Sequence, residues 1–572
     1  MRLSAFTLLQ DKMYHGGIEK EIVLFTEKSV RAVLSDLKKH VSKSQSIIPE
    51  LEIPKEIAHG DLSTNIAMKA SKLAGMPPMQ FAQLITAKMN KDLSSSGMKH
   101  DIEKIEIKNP GFINFFLTNS HLYKILLEVQ REKQNYGKSS ICRGKSMQIE
   151  FVSANPTGPL TIAHGRQAAI GDSLARILSF LGCDVKTEYF INDEGTQMNI
   201  LGNSIRARYR ELNGIKEDFP SDGYKGTYIF EIAKDFNDKY GKKYIEEKDV
   251  EKFREFGLKW ILNDIKKDLK DFGVNFDVWY SQKALRKSGK IDKALELLKN
   301  KGYIYEKEGA VWFRSTDFGD DKDRVVVKSD SSYTYLAPDI AYHLDKYRRG
   351  FKSLVDIWGP DHHGYIPRIK AAVQALGYEK EALSVLIAQL ATLYKGGKLV
   401  SMSTRAGEFV TLREVIDEVG KDAARFCFLM RKVSSHLDFD LDKVKEQSME
   451  NPVYYIQYAH ARIWSILDYS KSRKFDSKFD SELLKEKEEL DILRMMRQFP
   501  LIVVLSANSL EPYVVLQYLQ DLAHAFHLFY TKHRVVCDDP ALSKARLVLV
   551  DCVRITLANG LNLLGVSLPR KM

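Results

Sequence analysis

The chain has 572 residues, 44% of them hydrophobic and 28% charged, with a formal net charge of +11 and an isoelectric point near 9.0. That length is too great for one core and predicts three or four domains, while the basic balance suits an acidic polymer as partner, although excess lysine also serves solubility. The five cysteines, Cys142, Cys183, Cys427, Cys537 and Cys552, lack CxxC spacing, so no zinc site is indicated and reduced thiols in a cytosolic protein are expected; the apolar stretches at the N-terminus and over 499–519 are too short or too interrupted for an export signal or a membrane span.

Residues 28–43 place Val30, Val33, Leu34, Leu37 and Val41 on one helical face, opposite Arg31, Lys38 and Lys39. Gly-Asp-Leu-Ser-Thr-Asn at 60–65 leads into a helical run over 66–73, and another helix follows Pro77-Pro78. Strand patterns at 105–107 and 111–117 complete a small α+β module.

The stretch 147–193 reads strand, loop, helix, strand. Ile149, Phe151 and Val152 supply the first strand, and Pro-Thr-Gly-Pro at 156–159 stops it. From Arg166, the residues Ile170, Leu174, Ile177, Leu178 and Leu181 recur at helical spacing, with Gly182 placed to end the helix at positive φ. Val185, Tyr189 and Ile191 suggest the second strand. Such a unit sets a loop and a helix N-terminus at the carboxyl end of a parallel strand, where open α/β sheets bind ligands and unpaired N–H groups favour phosphate. The loop's glycines and prolines let a flat ring approach, and His164 can donate to phosphate oxygens.

Residues 213–300 are rich in lysine and glutamate and predict a solvated helical insertion, with helices near 252–272 and 291–299 and the segment Phe-Asp-Val-Trp-Tyr-Ser at 276–281 inside it. Residues 308–314 and 324–328 are expected to be strands returning the chain to the sheet. Tyr335 and Asp339 stand four apart, at a helix start capped by Asp339 or in a recognition element. A buried strand at 354–358, the polar turn Gly-Pro-Asp-His-His-Gly-Tyr at 359–365, and a helix carrying Ile369, Val373 and Leu376 follow. A polar loop at 399–407 precedes a capping box at Thr411-Leu412-Arg413-Glu414. From Asn451 the chain reads as helical, with a late helix after Asp539-Pro540. Tyr530, Lys532, His533 and Arg534 either meet a single-stranded RNA loop or pack within the bundle.

Ala-Asn-Pro-Thr-Gly-Pro-Leu-Thr-Ile-Ala-His-Gly-Arg at 154–166 resembles the first signature of class I aminoacyl-tRNA synthetases, in the form used by bacterial arginyl-tRNA synthetases. The segments 60–65, 111–117, 276–281, 335–343 and 451–462 resemble further elements of that family in collinear order. The resemblance implies an α/β fold: a Rossmann-like parallel-sheet catalytic domain over 126–440 with an insertion at about 213–300, an N-terminal α+β tRNA-contacting domain over 1–125, and a C-terminal all-α helical anticodon-binding bundle over 441–572. It implies ATP with Mg²⁺, L-arginine and tRNA(Arg) as partners, no membrane, no tightly bound structural metal, and a cytoplasmic monomer.

Catalytic roles would fall on His164, Thr161, Ser403 and Arg405. ATP contacts would fall on Pro156, Gly158, Ala163, His164, Gly165, Asp361, His362 and Met402, and arginine contacts on Asn155, Tyr335 and Asp339. Two departures stand out: the usual His-x-Gly-His core reads Thr161-Ile162-Ala163-His164, and the usual Lys-Met-Ser-Lys reads Ser401-Met402-Ser403-Thr404, leaving Arg405, Lys398 and Lys395 as candidate cations. Gln282 also replaces a glutamate seen in many relatives. A tRNA-binding paralogue without catalysis, and a synthetase for another amino acid, are the alternative readings.

Overall fold

Five strands pair in parallel to form the sheet that positions the site. They are β1 (Ser146–Glu150), β2 (Asp184–Ile191), β3 (Val278–Ser281), β4 (Ser353–Trp358) and β5 (Leu383–Ile387), in the order β5-β4-β1-β2-β3, each neighbouring pair parallel. They belong to a computed structural model that describes residues 17–39, 47–54, 56–396, 398–399, 410–446, 451–472 and 478–572. The chain steps outward from β1 to β3 and then returns to the other side of β1. The strand order therefore reverses between β1 and β4, which makes their carboxyl ends the natural ligand crevice.

Strand alternation sends neighbouring side chains to opposite layers. Phe151, just past β1, packs on helix α1 (Ile162–Phe180), so closely that a Cβ added at Gly171 would lie 2.2 Å from the ring. Glu150, one residue earlier, turns to the other face and meets Lys346 of helix α2 (Leu336–Arg348) at 2.5 Å. Both faces are thus covered, as a parallel sheet requires.

The N-terminal module is a four-stranded antiparallel sheet in the order Leu51–Glu52, Leu62–Thr64, Phe112–Leu117, Ile102–Lys108. Its first helix among the described residues is Gly17–Asp36, not 28–43: buried Ile18, Ile22 and Val23 extend the apolar stripe upstream, and Lys38 at φ 54 has left the helix. Val41 lies outside the described residues.

Two further expectations are corrected. Residues 278–281 are not part of the helical insertion but form the edge strand β3, with Glu188 to Ile191 as register partners. The strands predicted at 308–314 and 324–328 do not rejoin the central sheet. Ile304–Lys307, Ala310–Phe313 and Arg324–Val327 make a separate three-stranded antiparallel sheet, because Glu308 and Gly309, at φ 53 and 72, close a two-residue hairpin.

The C-terminal region is built on the helices Pro452–Ser470, Lys487–Ser509, Tyr513–Lys532 and Pro540–Leu563, with Asn451 and Asp539 capping the first and last. No helix among the described residues is long and apolar enough to cross a membrane. Pro500 lies inside Lys487–Ser509 and deprives the Met496 carbonyl of its helical N–H partner. The fully buried Tyr136 hydroxyl donates to that oxygen at 2.6 Å, tying the helix to the chain entering β1. Arg494 of the same helix pairs with Asp61 at 3.1 Å and Arg497 with Glu19, joining it to the N-terminal module. Tyr136→Phe leaves the carbonyl orphaned with little change in shape and should cost about 1–3 kcal/mol, read as a lower urea midpoint; an unchanged midpoint would contradict this account of the joint.

Candidate active site

The loop leaving β1 is strained and heavily braced. Val152 and Ser153 take left-handed backbone angles, φ 68 and 39, a conformation that is a genuine outlier for a β-branched residue. Such strain persists only where the surroundings over-determine it. Here the Ser153 hydroxyl donates to Glu150 at 3.1 Å and accepts from the Phe190 amide at 3.1 Å. Tyr189 donates to the Ala154 carbonyl at 2.9 Å, and Tyr228, from the helix Thr227–Tyr240, donates to the Thr157 carbonyl at 2.8 Å.

Helix α1 begins at Ile162, earlier than the apolar spacing suggested, because Thr161 and His164 cap it. The Thr161 amide donates to Nδ1 of His164 at 3.1 Å, which fixes the neutral tautomer: the remaining proton sits on Nε2. Burial pushes the imidazole down to about 4, with the Asp361 charge working in the opposite direction. His164 is therefore a neutral hydrogen-bond donor at neutral pH. The Thr161 hydroxyl is 3.1 Å from the same Nδ1, so Thr161 acts here by orienting His164.

Other predicted residues gather around this point to differing degrees. Pro156 is buried and Ala163 half-buried. Gly158 faces Tyr228, whose hydroxyl would lie 3.1 Å from an added Cβ. Gly165 makes room for Leu412 and Phe428, which an added Cβ would meet at 2.7 and 3.0 Å, so helix packing accounts for the glycine. Asn155 is exposed; its amide donates to Gln197 at 2.8 Å and accepts from Asn192 at 3.2 Å. Asp361 and His362 lie 3.4 Å apart, both exposed, in the short turn Pro360–Tyr365 after β4.

Tyr335, at the head of α2, is 85% exposed. Asp339 is not the cap of that helix but lies in its first turn, where Tyr365 donates to its carboxylate at 2.6 Å. Ser401, Met402, Ser403, Thr404 and Arg405 lie outside the described residues. Downstream, the Leu412 amide donates to the Leu160 carbonyl at 2.7 Å, and Thr411 and Glu414 form the predicted capping box. Lys395 is paired with Glu418 at 2.9 Å.

Sequence reasoning missed the charges beneath this crevice. Asp356, Glu150 and Glu188 are register partners across β4, β1 and β2, so their side chains form one buried row on the α2 face. Lys346 bridges Glu150 and Asp356 at 2.5 and 3.0 Å. Arg349 meets Glu188 through two nitrogens, at 2.5 and 2.9 Å, and Tyr342 donates to Glu188 at 2.6 Å. A carboxylate within each of three apolar strands, with Lys346 and Arg349 one helical turn apart, was the available signal, but the partners are remote in sequence.

Three family descriptions match the chain: "Arginyl tRNA synthetase N terminal domain" over 25–117, "tRNA synthetases class I (R), catalytic domain" over 124–465, and "DALR anticodon binding domain" over 456–572. The chain is 50% identical over 529 residues to the arginine–tRNA ligase of Citrifermentans bemidjiense, covering 91% of this chain and 94% of that one. The chain belongs to the arginyl-tRNA synthetase family. It is also 48% identical to the arginine–tRNA ligase of Bacillus subtilis, covering 92% and 95% of the two chains. The Thermus thermophilus arginyl-tRNA synthetase shares the fold, with a TM-score of 0.75 at 20% identity over 97% of this chain and all of that one. The expected class, a Rossmann-like parallel-sheet domain between an N-terminal module and a C-terminal helical domain, is borne out.

The His164 ring should titrate with a midpoint near 4 in the ligand-free protein, followed by NMR. The sign is clear: an unfolded imidazole, near 6.5, binds more protons than the folded one, so this group's contribution to stability is lost as pH falls from about 6.5 through about 4. A midpoint near 6.5 would contradict the burial and tautomer assigned to it.

Proposed function

We propose that this synthetase activates L-arginine with ATP and transfers it to tRNA(Arg), releasing AMP and pyrophosphate. The observation that supports the reading is a crevice-edge set of a neutral His164 donor at the start of α1 and, in the first turn of α2, an Asp339 carboxylate held by Tyr365 from the turn after β4. A carboxylate suits guanidinium because two N–H donors can meet two oxygens.

The arginine carboxylate attacks the α-phosphorus in line, and the bond to pyrophosphate breaks. The terminal ribose hydroxyl of the tRNA then attacks the adenylate carbonyl, and AMP leaves. His164 donates to the phosphate oxygens as charge develops, with Thr161 holding its tautomer. Pro156, Gly158, Ala163, Gly165, Asp361, His362 and Met402 border the nucleotide, and Ser403 and Arg405 bring a hydroxyl and a cation to the triphosphate. Asn155 holds the amino group, and Tyr335 and Asp339 select the side chain. Mg²⁺ would enter bound to the ATP phosphates, whose charge it would help neutralise. Residues 1–125 and 441–572 contact the tRNA, and the protein works as a cytoplasmic monomer.

The test is ATP-dependent attachment of labelled arginine to unfractionated bacterial tRNA, with lysine and glutamate as competitors. Charging that only unlabelled arginine suppresses is expected; no charging, or suppression by another amino acid, would overturn the assignment. Asp339→Asn should raise the KM for arginine roughly ten- to hundredfold, the size of a lost charged hydrogen bond, while the KM for ATP stays in place.

A further inference from the structure

His343 of α2 has both ring nitrogens committed to oxygens. Nδ1 lies 2.8 Å from the Asp339 carbonyl oxygen, one turn earlier in the helix, and Nε2 lies 2.9 Å from Oδ2 of Asp356 on β4. A peptide carbonyl only accepts. Asp356 is fully buried; burial would raise its carboxyl, but the Lys346 charge and the His343 hydrogen bond outweigh that and hold it at about 2, so it too only accepts.

A neutral imidazole has one N–H and one lone pair. Either tautomer would press a nitrogen lone pair against an oxygen lone pair at hydrogen-bonding distance, and only the doubly protonated ring satisfies both partners. The surroundings are acidic: Asp356, Glu150, Glu188 and Asp339 stand against Lys346 and Arg349, with burial raising the Glu150 and Asp339 carboxyls. Asp345, beside Arg349, has its own partner in Lys290 at 2.6 Å.

We infer that His343 is a buried imidazolium and a positioning residue for amino-acid recognition, its charge supporting the Asp339 carboxylate one turn away. This rests on the role proposed for Asp339. The groups facing that carboxyl are His343 and Lys346 from its own helix, Tyr365 from the turn after β4, and Asp356 from β4. Burial raises the Asp339 carboxyl; the Tyr365 hydrogen bond and then the two cations draw it back down, while Asp356 adds to the rise. Without the imidazolium, an important part of that restoring charge is gone, and a guanidinium would meet a carboxyl that protonates more readily.

The experiment uses the full-length protein labelled with ¹⁵N-histidine, the signal among its 14 histidines being assigned by its loss in His343→Gln. Both ring nitrogens of His343 should carry protons at pH 7, as its two acceptor partners require. In tRNA charging, His343→Gln should move the acid limb of kcat/KM for arginine up by about one pH unit, with the KM for ATP unchanged. A neutral His343 at pH 7, or a variant with the parent's acid limb, would overturn the inference. If His343→Gln does not fold, His343→Asn assigns the signal and carries the same test: a doubly protonated parent ring with a raised acid limb in the variant supports the inference, and a neutral ring or an unmoved limb overturns it. The two readings fail separately, since a parent that charges no arginine defeats the proposed function, whereas a neutral His343 in a parent that does charge arginine defeats this one.

Discussion

Buried charge must be paired, and the architecture of this catalytic domain follows from meeting that demand at one row of the sheet. Asp356, Glu150 and Glu188 sit side by side on three neighbouring strands, all nearly inaccessible to water. Desolvating three carboxylates without partners would cost far more than the whole stability of a domain permits. A single helix face answers it. Tyr342, His343 and Lys346 of α2, with Arg349 at its C-cap, each reach the row, so α2 is fixed in rotation and in height above the sheet. Removing any one cation would strand its carboxylate, which is why such a row is sensitive to substitution even if its net contribution to stability is small.

Fixing α2 also fixes what its first turn carries. Asp339 stands one turn ahead of His343, and Tyr365 holds its carboxylate from the turn after β4. On the opposite flank the strained β1 loop is pinned by Ser153, Tyr189 and Tyr228, and α1 starts with a histidine whose tautomer is already chosen. Catalysis of phosphoryl transfer relies on positioning and charge stabilisation. Both flanks are built from braced elements, and Ser153 joins the two systems directly through Glu150.

Much of this was legible in the sequence because the local signals and the fold agree. The strand, loop and helix at 147–193, the turn at 359–365 and the Thr411–Glu414 cap follow from side-chain period and turn chemistry, and the structure places them at the crevice. The hairpin sheet was misplaced because valine-rich strands look alike whichever sheet they join, and Val278–Ser281 was absorbed into a helical insertion because its aromatic residues flank long helices. The acidic row was invisible for another reason: Glu150, Glu188 and Asp356 become neighbours only through parallel register, and nothing local marks them. Tyr335 was legible as a motif residue, yet its 85% exposure shows that motif position alone does not bury a side chain.

The central claim is that the braced β1 loop and α2 present His164 and Asp339 to one substrate across the switch point. Its most direct test is a crystal structure of the protein with L-arginine and a non-hydrolysable ATP analogue. The account predicts the guanidinium within hydrogen-bonding distance of the Asp339 carboxylate, the phosphates on Nε2 of His164, and the Thr161 to His164 cap intact. A guanidinium bound away from Asp339, or phosphates that leave His164 untouched, would contradict it.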